Sequence, residues 1–206
     1  MPKYCQLFDV KVAICFPHYG DVKAGFAVSL ARMLVFTLNA DVSGPDGAIK
    51  VEPEVFSCSS PVLPHGRNTL VARALEWGAE WLLMLDADHT FPPDTLLVLL
   101  AHSLPMVGCN YMKRIAREPI TEPGKGLAQV DHLGLGVVLV HRTVLQAIAA
   151  TNPGPLFNFE TRDGQLVGED LVFFGKAKAA GYPLTVDHDL SRHIGHIGEV
   201  ELRLQS

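Results

Sequence analysis

Apolar residues along the chain come in short blocks whose period switches between that of a buried strand and that of a helix. Residues 11–16, KVAICF, form a run of strand length that stops at Pro17, with His18-Tyr19-Gly20 read as a loop. Residues 21–38, DVKAGFAVSLARMLVFTL, repeat apolar residues at helical spacing, and Asp21 is placed to cap that helix. A Gly/Pro/Asp turn at 43–47 leads into IKVEPEVF (49–56), which alternates like a strand. After the loop SSPVLPHG, RNTLVARALEW reads as a helix closed by Gly78. WLLMLD (81–86) is continuously apolar up to its last residue, the pattern of a strand buried on both faces. Pro92-Pro93 suit the first turn of the next helix, PPDTLLVLLAHS. PMVGCNY (105–111) is another strand, followed by a long loop over 112–128. GLGVVLVHRTVLQAIAA passes from strand to helix, and GEDLVFFGKAKAAGY is a helix closed by Gly181. LTVDHD is a last strand before a tail rich in Gly and His.

Strands alternating with helices predict an α/β fold with a mainly parallel central sheet, helices on both faces and mixed strands added in the second half. A length of 206 residues suits one domain, 1–206, with no internal repeat or linker. Charge narrows the function. With 17 Lys+Arg against 22 Asp+Glu, a net −5, the chain lacks the cations of a broad nucleic-acid surface. Cys5, Cys15, Cys58 and Cys109 are far apart with no C-x-x-C pair, so reduced thiols are expected rather than disulfides or a zinc site. No apolar run reaches the roughly 20 residues that span a bilayer, and the N-terminus lacks signal-peptide features, so a cytoplasmic location is expected.

The chemistry concentrates at Asp86-Ala87-Asp88. In an extended segment, residues i and i+2 face the same way, and ligands of such sheets collect at the carboxyl ends of strands. Two convergent carboxylates repel unless a cation neutralises them, and a hard divalent ion does so. LMLDADHT also fits the hydrophobic, D-x-D-x-T nucleophile motif of haloacid dehalogenase-like phosphatases. A plain strand end with polar loop residues is the third reading. The dehalogenase-like motif usually opens its domain, whereas this one follows two strand–helix units, which favours a metal clamp. A sugar nucleotidyltransferase would need a Gly-rich, basic first loop, and ICFPHYGDVKAG has none.

Several motifs in order resemble those of GT-A glycosyltransferases, especially small family-2-like members of bacteria and phages. VAICFPHYGDVKAGFAVSL is similar to their first strand and nucleotide-binding loop, and GRNTLVARAL to their Arg-Asn helix. LLMLDADHTFPPDTLLVLL is similar to their D-x-D strand and GLGVVLVHRTVL to their acceptor-side strand. GEDLVFFGKAKAAGY resembles their E-D helix and DLSRHIGHIG their C-terminal metal histidine.

The resemblance implies a donor half at 1–110 and an acceptor half at 111–206. It also implies transfer of a sugar from a nucleotide-diphosphate donor to a hydroxyl of a glycan, small molecule or protein. Asp88 is then the direct ligand of Mn²⁺ or Mg²⁺, and Asp86 reaches the metal through water or touches the donor ribose. His196 completes the metal site, preferred over His193 because the pattern is G-H-I-G. Asp170 is the base if the enzyme inverts configuration. Glu169 orients the acceptor or supports the metal loop.

By the same resemblance, Pro17, His18 and Tyr19 would line the nucleoside pocket, and Arg67 would contact the diphosphate or base. The resemblance also implies a lid to which Lys113, Arg114 and Arg117 would bring cations, and an acceptor pocket that His132, Phe157 and Phe159 would shape. A homo-oligomer or partner domain would extend the short acceptor surface. The non-enzymatic alternative is a GT-A-like domain that binds a glycan or partner without turnover.

Overall fold

A computed structural model describes residues 8–44, 47–113 and 118–198; Cys5, Arg114 and Arg117 lie outside them. The first half runs β1 (Phe8–His18), α1 (Ala24–Asn39), β2 (Val42–Gly44), β3 (Gly47–Ser59), α2 (Leu63–Trp77), β4 (Trp81–Leu85), β5 (His89–Thr90), α3 (Thr95–Ala101) and β6 (Met106–Gly108). The second runs β7 (Leu127–Val130), β8 (Val137–His141), α4 (Arg142–Thr151), β9 (Glu160–Arg162), β10 (Gln165–Val167), α5 (Glu169–Ala179), β11 (Leu184–Asp187), α6 (His188–Ser191) and β12 (Gly195–His196).

One eight-stranded sheet holds the fold, in the order β2-β3-β1-β4-β8-β6-β11-β7. Strands β3, β1, β4, β6 and β11 run one way, while β2, β8 and β7 run against them. Thus β8, from the second half of the chain, is inserted between β4 and β6 of the first. Five of the eight strands share one direction, as expected of a mainly parallel sheet; the strands that oppose them are β8 and β7 of the second half and β2 at the edge of the first.

Alternation along the central strands divides the core into two layers. Leu82 and Met84 of β4 and Val138 and Val140 of β8 pack against Leu70, Ala74, Leu145 and Phe173 of α2, α4 and α5. Leu83, Leu85, Val137 and Leu139 face the other way, onto Phe26, Met33, Leu96 and Leu99 of α1 and α3. With both faces covered, the strands read as apolar runs without polar alternation.

Local boundaries differ from the periodicity in instructive places. β1 does not stop at Pro17: its pairing with β4 ends at Cys15, while its pairing with β3 continues to His18. Proline lacks only an N–H, and it is tolerated where the strand has a neighbour on one side alone. Asp21 does not cap α1. The helix starts at Ala24 after Lys23, with no side-chain cap, and Lys23 N–H donates to the Ala87 carbonyl at 3.1 Å. Pro92 and Pro93 precede α3, where the Pro92 carbonyl accepts from Thr95 Oγ1 at 2.8 Å. Gly78 closes α2 as expected, with φ 91° in the left-handed region.

Cys15, Cys58 and Cys109 are free thiols, and burial pushes Cys15 up to about 12. Leu83 has no exposed surface at the centre of β4. Leu83→Ala is expected to cost about 2–5 kcal/mol, read as a lower midpoint in urea unfolding.

Candidate functional site

The carboxyl ends of β1, β3 and β4 surround a cavity of about 390 Å³ lined by Pro17, His18, Tyr19, Asp21, Lys23, Ser60, Pro61, Leu63, Asp86, Ala87, Asp88 and His196. It lies where an α/β sheet of this kind collects ligands. Tyr19 is 76% exposed at its mouth.

The two aspartates share this cavity through a turn rather than by extended-strand alternation. β4 ends at Leu85, and His89 N–H donates back to the Asp86 carbonyl at 3.2 Å, so residues 86–89 reverse direction. The carboxylates then take different partners. Asp86 Oδ1 accepts from Arg67 Nη2 at 2.7 Å. Asp88 Oδ1 lies 3.1 Å from His89 Nδ1, and its Oδ2 lies 3.5 Å from His196 Nε2.

The tail brings His196 there. β12 pairs antiparallel with β5, setting His196 opposite His89 and Gly195 opposite Thr90, and Ile197 N–H donates to the Asp88 carbonyl at 2.8 Å. Gly195 permits this approach, because a Cβ there would lie 2.3 Å from Thr90 Oγ1. The imidazoles of His89 and His196 stack with centroids 4.3 Å apart, and Tyr111 stands edge-on to both. One ligand atom from each of Asp88, His89 and His196 lies within 4.8 Å of the others. His193, the competing histidine, is exposed and outside this cluster.

Sequence reading missed His89. Only the β5–β12 ladder shows that it faces His196, although its position directly after D-x-D was an available signal. It is fully buried, and neither ring nitrogen has a hydrogen-bond partner. The approach of Nδ1 to Asp88 is off the line that a hydrogen bond requires.

Arg67 departs from its expected role. Its side chain is 2% exposed and absent from the cavity wall; besides bonding Asp86, its Nε approaches Glu169 Oε1 at 3.5 Å. It therefore faces the two carboxylates rather than the cavity. Glu169 is buried at the start of α5, whereas Asp170 is partly exposed and accepts from Leu171 N–H at 2.8 Å. Burial raises the Glu169 carboxyl above its ordinary range; Arg67 opposes this, and Asp170 and Asp86 reinforce it. Burial first, and then the Asp86 charge, raise the Tyr111 phenol.

Other expectations fall elsewhere. Phe157 is a core residue stacked on Phe173 at 4.6 Å, so it does not form an acceptor wall. Asn68 accepts from Phe157 N–H and donates to its carbonyl, tying that loop to α2. His132 lines a different cavity with Phe174 and Lys178. Lys178 lies about 12 Å along α5 from Asp170 by helix rise. Phe159 is half exposed, and Lys113 is paired with Glu118 at 2.9 Å.

Glu169 provides a test by linkage. A carboxyl raised in the folded state contributes stability below its unfolded value of 4.5 and loses it as pH rises through the folded value. Glu169→Gln should therefore match the wild-type thermal midpoint near pH 4 and exceed it increasingly toward pH 7, as followed by circular dichroism.

No family model matches the chain, and no curated protein matches it in sequence. Solved structures do match. A197 from STIV is 15% identical, over 96% of this chain and 99% of that one, with a TM-score of 0.58. The catalytic domain of Drosophila beta1,4galactosyltransferase 7, in complex with xylobiose, is 16% identical over 91% of this chain and 71% of that one, with a TM-score of 0.56. GalNAc-T7, solved with UDP, GalNAc and Mn²⁺, is 10% identical over 91% of this chain and 44% of that one, also with a TM-score of 0.56. At these identities the likeness is one of architecture: the chain has the α/β fold of GT-A-type glycosyltransferase catalytic domains.

Proposed function

We propose that the chain is a metal-dependent glycosyltransferase that moves a sugar from a nucleotide-diphosphate donor to an acceptor hydroxyl. The observation that carries this reading is the β5–β12 ladder. On a GT-A-type frame it sets His196 beside Asp88 and His89 at the rim of the strand-end cavity. The donor atoms fit a divalent ion: a carboxylate and two imidazoles converge, one imidazole being buried with both nitrogens orphaned. Mixed oxygen and nitrogen ligation suits Mn²⁺, or Mg²⁺ with several waters. The Mn²⁺ and UDP of the GalNAc-T7 structure support the same ligand classes here. Bound at this cluster, the ion would neutralise charge developing on the departing diphosphate.

The chain's own residues divide the remaining work. Pro17, His18 and Tyr19 form the wall against which a nucleobase would stack, with Tyr19 offering its exposed face. Asp86 stays oriented toward the donor by its bond to Arg67. Asp170, the accessible member of the E-D pair, takes the proton from the acceptor hydroxyl in an inverting displacement. Glu169, buried against Arg67, acts by positioning. An Asp86 nucleophile, as in a phosphatase, fits less well, because Oδ1 is already committed to a buried guanidinium.

Titration of the protein with UDP-, GDP- and dTDP-sugars in the presence of Mn²⁺ tests this. At least one donor should bind, and Asp88→Asn should abolish the metal dependence. Asp170→Asn should keep donor binding and lower transfer by about 10²–10⁴-fold. If no donor in the panel binds, the reading fails.

A further inference from the structure

Asp88 faces two imidazole nitrogens at once, and their hydrogen bonding explains neither approach. His196 Nδ1 lies 2.8 Å from the Met112 carbonyl. A carbonyl only accepts, so Nδ1 donates, and in the neutral ring Nε2 is left as a lone pair directed at the Asp88 side. His89 sits beneath it, fully buried, with both nitrogens unpartnered. A buried polar side chain with no hydrogen-bond partner is costly. A cation that accepts all three groups removes the cost.

The ring is also held in place. A Cβ on Gly136 would lie 2.7 Å from His89 Cε1 and 2.8 Å from its Nε2, so only glycine leaves room for the imidazole there. Tyr111 closes the other side at a centroid distance of 4.3 Å, and its Oη accepts from Gly136 N–H at 3.2 Å. His89 thus has few alternative rotamers, and its pairing with β12 is set by backbone.

We infer that His89 is a third protein ligand, making Asp88, His89 and His196 a site that holds a transition-metal ion before any nucleotide arrives. The inference rests on the metal-dependent reading above and goes beyond it in two ways. A site with three protein ligands needs no phosphate oxygens to retain its ion. Two imidazoles also favour Mn²⁺ or Co²⁺ over Mg²⁺, which prefers oxygen ligands and keeps its waters.

The test uses the full chain and metal alone. Calorimetric titration with Mn²⁺, Co²⁺ and Mg²⁺, without nucleotide, should show one site for the first two and at least tenfold weaker binding of Mg²⁺. His89→Met should weaken Mn²⁺ and Co²⁺ at least tenfold and narrow their advantage over Mg²⁺. His193→Gln should change nothing. Pulsed electron paramagnetic resonance of the Mn²⁺-loaded wild type should show coupling to two imidazole nitrogens, a readout that stands even where His89→Met does not fold.

Coupling to one nitrogen, unchanged affinity in a folded His89→Met, or Mn²⁺ binding that appears only after UDP is added would overturn the inference. Each would leave the metal-dependent reading intact. Absence of Mn²⁺ binding with and without UDP would remove both.

Discussion

A strand buried on both faces has no place for a charge along its length, and β4 is such a strand. Leu82 and Met84 fill one core layer, Leu83 and Leu85 the other, and β1 and β8 occupy its two edges. An unpaired charge at any of these positions would cost several kcal/mol in lost solvation. Ionisable groups can therefore enter only where the strand stops. They do so immediately, in the reversal at residues 86–89, which places Asp86, Asp88 and His89 on a rigid support. The overrun of β1 past β4, carrying Pro17 and His18, supplies the opposite wall of the same cavity.

Arg67 is the counterweight to this concentration of acid. It comes from α2 and meets one carboxylate from the end of β4 and another from the start of α5. A guanidinium can serve two carboxylates on different elements because its donors are spread across a planar fork, which a lysine ammonium cannot imitate. Buried ion contacts of this kind add little net stability and a great deal of orientation. Here the orientation links the turn carrying Asp86 and Asp88 to the helix that begins with Glu169 and Asp170. Glu169 remains the strained partner, since burial outweighs the attraction of Arg67.

Much of the fold was legible because both-face burial writes itself as uninterrupted apolar runs, as in WLLML and VVLV, and because Gly78 and Gly181 mark helix ends. The elements that escaped are short ones defined by pairing. β5 and β12 are two residues each and have no periodicity to detect; only the ladder between them defines them. Asp88 and His196 lie in local motifs, whereas the place of His89 opposite His196 is set by that ladder alone. The burial of Arg67 is hidden in the sequence for a related reason. Nothing local distinguishes an arginine near a helix start that faces a ligand from one buried between two distant carboxylates. The stacking of Phe157 on Phe173 likewise depends on tertiary packing and leaves no local mark in the sequence.

The β5–β12 ladder also bears on synthesis. His89 and His196 are 196 − 89 = 107 residues apart, and the contact between them closes a long loop around most of the second half. During translation β1, β3, α2 and β4 become available early, while the imidazole that lies over Asp88 emerges near the end. A nascent chain therefore carries Asp88 and His89 without their third partner until β8, α5 and β11 have already been made. Completion of the cluster reports that the chain has been read through to residue 196.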